Sequence, residues 1–163
     1  MDVAGFFYSL INSYGLIGVF LASLIANATL FLVVPIDAVI ILVSSTGLFN
    51  PFLLALFAAL GAAIGESTGY FVGRGGRSVV EEKFSDKLHI VDDLTKKISK
   101  WGFGFIVLMS FLPFGFDLIS IIAGMLEYDL KKFYSAVFIG RFLRYSILAF
   151  AGITVIELFS SLI

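Results

Sequence analysis

Long apolar stretches separated by short polar segments run through most of the chain and limit the folds that it can adopt. Residues 6–26 and 51–73 are each long enough to cross the roughly 30 Å hydrocarbon core of a bilayer as an α-helix. Of the 163 residues, 60% are hydrophobic and only 14% are charged, which is too apolar for the surface of a water-soluble domain of this size. The sequence therefore predicts an all-α integral membrane protein with about three to four spanning helices, forming a single membrane domain over residues 1–163.

Two of the apolar stretches are interrupted near their middle by a proline and, a few positions later, by an acidic residue. The interruptions are Pro35 with Asp37 and Pro113 with Asp117. Proline breaks a helix, and broken backbone at membrane depth is tolerated only where protein or a water-filled cavity satisfies its polar groups. We therefore expect each stretch to enter and leave the membrane on the same side. The two predicted re-entrant helical hairpins are 29–47 and 103–126.

The other segments carry the signals of membrane helices and of one cytoplasmic segment. Asn50 followed by Pro51 places an N-cap before a proline at the first helical position. The segment from Arg74 to Lys100 contains seven Lys or Arg, an enrichment that marks cytoplasmic loops, and its apolar residues recur at helical spacing. The sequence predicts a multi-pass protein of the cell membrane. Its predicted segments are membrane helices at 6–26, 51–73 and 130–163 and a cytoplasmic amphipathic segment at 74–102.

The two halves of the chain share a similar arrangement. Pro35 and Gly61 are 26 positions apart, and Pro113 and Gly140 are 27 positions apart. Paired interrupted segments in two halves point to the binding site of transporters that are built from inverted repeats, which is the architecture that we predict. Small residues let helix backbones approach closely in a bilayer. The glycines predicted to pack against other helices are Gly61, Gly65, Gly69 and Gly140.

Five ionisable residues lie inside the apolar segments, where each costs about 2.5 to 3.5 kcal/mol on insertion scales. They are Asp37, Glu66, Asp117, Arg141 and Arg144. Arg141 and Arg144 share one face of a helix, and the tips of the hairpins are expected to bring the two aspartates toward them. Arginine holds phosphate in a bidentate fork, and a desolvated carboxylate beside it responds to a ligand or a proton. These five residues form the predicted substrate- and ion-binding site; the alternative is that they only pair and hold the fold.

Several other classes of function find no support in the sequence. The chain has no cysteine and one histidine, His89, whereas a zinc site needs three or four converging ligands. No catalytic arrangement of serine and histidine and no phosphate-binding loop is present, so we expect neither an enzyme nor a cofactor or metal. A net charge of −1 without a basic run argues against a nucleic-acid partner. The expected partners are membrane lipids and protons as the coupling ion, and the sequence leaves open whether copies form a homo-oligomer.

Two stretches of the chain have the pattern of a known family. Residues 61–74 read GAAIGESTGYFVGR, and residues 110–145 contain SFLPFGFDLISIIAGML followed by GRFLRY. From about 33 to 152 the chain resembles the DedA family, also called the VTT or SNARE-associated family, and is most similar to its short YqaA-like branch.

This resemblance implies two opposed re-entrant hairpins and relatives that act as lipid translocases or scramblases, some on polyprenyl phosphate and with dependence on proton motive force. By position, Asp37 resembles the acid of the first hairpin. Asp117, Arg141 and Arg144 resemble the YqaA-like pattern. The larger DedA proteins also have an acid near Asn27 and arginines near 110 and 116, which this chain lacks.

The residues and the resemblance together predict a membrane transporter or a lipid flippase or scramblase for an anionic, phosphate-bearing lipid or small solute, coupled to protons. An alternative of another class is a non-transporting membrane scaffold that recruits a partner through its amphipathic segment 74–102. Neutralising Asp37 and Arg144 should end activity in the first case, whereas removing residues 80–101 should do so in the second.

Overall fold

The computed structural model describes residues 3–29, 36–76, 88–113 and 116–160, and all the regular structure in these ranges is helical. The helices in chain order are α1 (Val3–Tyr14), α2 (Leu16–Ala28), α3 (Ile36–Ser45), α4 (Pro51–Gly65), α5 (Ser67–Gly75), α6 (Leu88–Phe111), α7 (Phe116–Met125) and α8 (Leu130–Ser160). The predicted hairpin break at Pro35 lies outside the described residues, as does the part of the predicted segment 74–102 from 77 to 87.

Two long apolar helical segments form the centre of the fold. Pro51–Gly75, made of α4 and α5, and Leu130–Thr154 of α8 each have 25 residues and are long and apolar enough to cross a membrane. Asn50 begins the first of them, because its side chain accepts a hydrogen bond of 2.9 Å from the backbone N–H of Phe52. The two segments pack against each other. Large apolar side chains on them are more than half exposed, for example Ile147 and Phe150, as suits contact with lipid.

The apolar stretch 6–26 is not the single membrane helix that its composition predicts, because two helices meet at Gly15. Gly15 has a φ of 58°, which glycine adopts without a steric cost. The backbone of Gly18 then lies against α1, where a Cβ would overlap the carbonyl oxygen of Leu10. The chain therefore bends sharply, and α2 packs against α4.

Two ten-residue helices, α3 and α7, lie where the hairpins are predicted. At about 1.5 Å per residue each is about 15 Å long, half the thickness of the hydrocarbon core. Helix α3 packs against α8, and α7 packs against α5. Each is followed, two residues after its end, by a residue with positive φ, Gly47 at 69° and Glu127 at 50°.

Similar features occur in the two halves of the chain at an almost constant spacing. Gly73 packs against the carbonyl oxygen of Ile121, and Gly152 packs against that of Ile41. Two pairs of such features lie at the beginnings of helices: Asp37 and Asp117 in the first turns of α3 and α7, then Asn50 and Asp129, which cap α4 and α8. The other two are pairs of packing glycines, Gly61 with Gly140 and Gly73 with Gly152. The first pair is 80 positions apart and the other three are 79 positions apart. In both halves, the short helix packs against the long segment of the other half.

The predicted packing glycines lie at buried positions of the long segments. Gly61 approaches the carbonyl oxygen of Phe20, and Gly65 that of Leu24, both on α2. Gly140 approaches Val107 on α6, where a Cβ would lie 2.5 Å from the carbonyl oxygen. Gly69 is also buried. These approaches leave no room for a side chain between the long segments and α2 or α6.

Replacing Gly73 by alanine is expected to destabilise the protein, because the new Cβ would overlap the backbone carbonyl of Ile121 and push α7 away from α5. Overpacking of this kind costs about 1–3 kcal/mol. Gly75→Ala is the matched control, since Gly75 lies on the same helix and its Cβ would meet open space. Thermal unfolding in detergent measures both. Equal melting temperatures for the two variants would contradict a close contact between α5 and α7.

Candidate functional site

Two arginine–carboxylate pairs connect the central helices. Nη2 of Arg141 on α8 donates a hydrogen bond to Oε1 of Glu66, which lies between α4 and α5. Nη2 of Arg144 donates to Oδ2 of Asp37 in the first turn of α3. The pairs bridge 75 and 107 positions of sequence. The structure thus brings four of the five predicted site residues together in two pairs along one helix.

The inner pair, Glu66 with Arg141, is buried. Glu66 is 2% exposed and Arg141 is 7% exposed. Glu66 keeps helical backbone angles, and its N–H donates to the carbonyl of Ala62 at 2.9 Å, so the carboxylate projects from an almost continuous helical segment. A charge buried in this way is tolerated only with a partner of opposite sign. Arg141 and Glu66 therefore join the two long segments at the centre of the protein.

The outer pair, Asp37 with Arg144, is more accessible. The side chain of Asp37 is 35% exposed and that of Arg144 is 11% exposed. Nη1 of Arg144 also donates to the carbonyl of Leu112 at 2.9 Å. Leu112 follows the end of α6 and precedes Pro113, where helical carbonyls lose their backbone partners. Arg144 thus connects the beginning of α3 to the interruption at Pro113.

Asp117 occupies in α7 the position that Asp37 occupies in α3, the second residue of the helix. Its carboxylate interacts electrostatically with Glu66, and Asp37 interacts electrostatically with Arg141 as well as with Arg144. All five predicted charged residues therefore belong to one connected cluster. The cluster contains three carboxylates and two guanidinium groups.

Four buried side-chain oxygen atoms in this cluster, or next to it in sequence, have no hydrogen-bond partner in the part of the chain that the structure describes. They are Oδ1 of Asp37, Oε2 of Glu66, the hydroxyl of Tyr145 and Oγ of Ser146. An unsatisfied buried polar atom costs about 1–3 kcal/mol, and native structures keep few of them. The site therefore has hydrogen-bonding capacity that the fold itself does not use.

Tyr145 and Ser146 are not among the five predicted site residues, although Tyr145 ends the GRFLRY pattern. The available signal was the spacing, because Tyr145 lies four positions after Arg141 and therefore on the same face of α8. In the described ranges, no group of three or more His, Asp or Glu side chains is arranged to hold a metal ion. The cluster consists of carboxylates, guanidinium groups and hydroxyls, a set that suits an oxyanion and protons.

Comparison with known proteins gives one match. A family model described as the VTT domain matches residues 34–154, a range that contains α3, α7 and both arginine–carboxylate pairs. No curated protein and no solved structure matches the chain.

Replacing Arg141 by methionine is expected to destabilise the protein more than replacing Arg144 by methionine. Arg141→Met leaves the carboxylate of Glu66 buried without its partner, at a cost of about 3–5 kcal/mol. Arg144→Met leaves the carboxylate of Asp37 without its guanidinium partner, but Asp37 is 35% exposed and therefore less desolvated than Glu66, so the cost is expected to be smaller. Unfolding in detergent measures the difference.

The double variant Glu66→Leu with Arg141→Met is the control for this experiment. Removing both charges together should recover most of the lost stability, because an apolar pair replaces a buried ion pair at little cost. Equal losses for Arg141→Met and Arg144→Met would contradict the difference in burial between the two pairs.

Proposed function

The chain belongs to the VTT domain family, the domain of the DedA or SNARE-associated proteins, and we propose that it is a transporter, flippase or scramblase for an anionic, phosphate-bearing lipid or small solute. The family is membrane-associated and is commonly linked to transport or flippase roles. The observation that carries the proposal is the charged cluster of Asp37, Glu66, Asp117, Arg141 and Arg144 inside apolar helices, with unused hydrogen-bonding atoms beside it.

We propose further that α3 and α7 belong to two re-entrant hairpins and that the halves of the chain form an inverted repeat. Two observations support this. Each short helix reaches only about half-way across a hydrocarbon core, and equivalent packing contacts recur at spacings of 79 or 80 positions. In such a fold the interrupted helices meet near the middle of the bilayer and form the binding site there. We propose that the segment 74–102 lies on the cytoplasmic side of the cell membrane.

Arg144 is the residue at which we propose that the anion first binds. Its pair with Asp37 is the more exposed of the two, so displacing the Asp37 carboxylate costs less than opening the buried pair. A phosphate group then takes the place of that carboxylate and accepts two parallel hydrogen bonds from the guanidinium. The backbone N–H groups in the first turn of α3 lie beside Asp37 and favour the same anion.

Protons are the coupling ion in this proposal because of the charge of the cluster. An anion entering a site that contains three carboxylates is repelled by them, and a proton bound to one carboxylate weakens that repulsion. Glu66 is well placed for this role, since it is 2% exposed and its Oε2 has no partner among the described residues. Anion and proton would then cross the membrane in a coupled manner.

Neutralising the outer pair with Asp37→Asn and Arg144→Gln together is expected to slow transport strongly without unfolding the protein. Losing one hydrogen bond between a charged group and its ligand costs about 1.5–3 kcal/mol, which corresponds to a slowing of roughly 10- to 100-fold. Transport is measured in vesicles of phosphatidylethanolamine and phosphatidylglycerol. One arm follows a fluorescent phosphatidylglycerol between leaflets, and the other follows uptake of inorganic phosphate, so that a lipid substrate is distinguished from a free anion.

The matched control is Asp93→Asn with Lys97→Gln, which removes an exposed pair on α6 whose side chains are 60% and 48% exposed. This control should transport like the wild type. Failure of the wild type to move either probe, with and without a pH gradient, would overturn the proposed function. The alternative of a non-transporting membrane scaffold would be favoured by two results together. The variant with the neutralised outer pair would transport as the wild type does, and removing residues 80–101 would end the protein's function in cells.

Replacing Glu66 by glutamine is expected to uncouple transport from protons. Glutamine keeps an oxygen that accepts the hydrogen bond from Arg141 but cannot take up a proton. Because Arg141 then lacks an anionic partner, Glu66→Gln should melt at a lower temperature, so its transport is compared per folded molecule. That transport should be the same with and without an imposed pH gradient, while the wild type should respond to the gradient. Glu127→Gln, which changes an exposed acid in the turn after α7, is the control. An unchanged response of Glu66→Gln would assign proton binding to another carboxylate.

A further inference from the structure

We infer that the hydroxyl of Tyr145 donates a hydrogen bond to the bound anion beside the guanidinium of Arg141. This inference rests on the proposed function and adds a neutral, ligand-contacting residue to its charged site. Tyr145 is 0% exposed and lies one helical turn after Arg141, on the same face of α8. The two side chains interact electrostatically.

The hydroxyl of Tyr145 has no hydrogen-bond partner among the described residues. Buried tyrosine hydroxyls normally find one, so a fold that needed only the ring of Tyr145 would be served better by phenylalanine. The missing partner is therefore expected to be a group that binds in the site. Because a phenol donates a hydrogen bond, and because arginine lies beside it, an oxyanion fits both groups.

The other unsatisfied oxygen atoms of the site are less suited to an anion. Those of Asp37 and Glu66 belong to carboxylates, which repel an anion and accept hydrogen bonds when ionised. Ser146 lies roughly 140° around the helix from Arg141, so its hydroxyl is not on the face that carries the guanidinium. Tyr145 is thus the neutral donor that shares a face with Arg141.

Tyr70 shows how the same residue type is held when its role is structural. Tyr70 on α5 is also almost fully buried, at 1% exposed, but its hydroxyl donates a hydrogen bond of 2.5 Å to the carbonyl of Tyr128. Its ring packs against Phe133 with the centroids 5.0 Å apart. Tyr70 and Tyr145 are therefore buried to a similar extent, but within the described part of the chain only the hydroxyl of Tyr70 has a hydrogen-bond partner.

The position of Tyr145 also relates it to the inner pair. Tyr145 follows Glu66 by 79 positions, the spacing that separates Gly61 from Gly140. The two halves thus place a carboxylate and a phenol at equivalent positions of the long segments, and both interact with Arg141. One half supplies the carboxylate that pairs with Arg141, and the other supplies a neutral hydroxyl beside it.

Tyr145→Phe and Tyr70→Phe form the test, since each removes one hydroxyl and keeps the ring. Tyr145→Phe should melt at or above the wild-type temperature in detergent, because it removes an unsatisfied buried group. Its transport should fall by roughly 10-fold or more. Tyr70→Phe should melt at a lower temperature, while its transport per folded molecule should match the wild type. Transport is followed with fluorescent phosphatidylglycerol and with inorganic phosphate in separate vesicles.

A second measurement does not depend on transport: the change in melting temperature when inorganic phosphate is added to the protein in detergent. Phosphate should raise the melting temperature of the wild type and of Tyr70→Phe more than that of Tyr145→Phe. Wild-type transport and phosphate response in Tyr145→Phe would overturn the inference and leave the transport function standing. A Tyr145→Phe protein that melts lower or does not fold would also overturn it, because the hydroxyl would then be bonded within the fold. Absence of transport and of a phosphate response in the wild type would overturn both proposals.

Discussion

The ion pair between Glu66 and Arg141 is the constraint on which the centre of this protein depends. Either charge alone would strongly destabilise an apolar interior, and each is tolerated there only beside the other. Because Glu66 lies in the first long segment and Arg141 in the second, 75 positions later, their pairing determines how the two segments meet. The outer pair of Arg144 and Asp37 then attaches α3 to the same helix.

Close backbone contacts at glycine residues determine how near the packed helices lie to one another. Lipid provides little hydrophobic drive for one apolar helix to associate with another, so helices in a bilayer associate through packing and hydrogen bonds, and small residues bring them near. Gly61 and Gly140 hold the long segments against α2 and α6, while Gly73 and Gly152 hold them against α7 and α3. These contacts place the acidic first turn of α3 beside Arg144 and bring Asp117 of α7 within electrostatic range of Glu66.

The cluster combines groups that the fold satisfies with groups that it leaves unsatisfied. The arginines are held by carboxylates, whereas oxygen atoms of Asp37, Glu66 and Tyr145 lack partners among the described residues. A cluster that served stability alone would gain from satisfying or removing these atoms. The graded exposure of the two pairs, with Asp37 partly accessible and Glu66 buried, would let an anion reach the outer arginine before the inner one.

The sequence by itself determined the apolar class of the chain, the extent of the long helices and the identity of the charged residues inside them, since length, polarity and capping are local properties. It did not reveal the bend at Gly15, because the pattern of apolar residues is the same whether or not one glycine adopts positive φ. Nor did it show that Arg141 pairs with Glu66 and Arg144 with Asp37, or that the hydroxyl of Tyr145 has no partner among the described residues. Only the tertiary structure decided these, because pairing depends on which helix faces meet, and contacts between residues far apart in the chain set that.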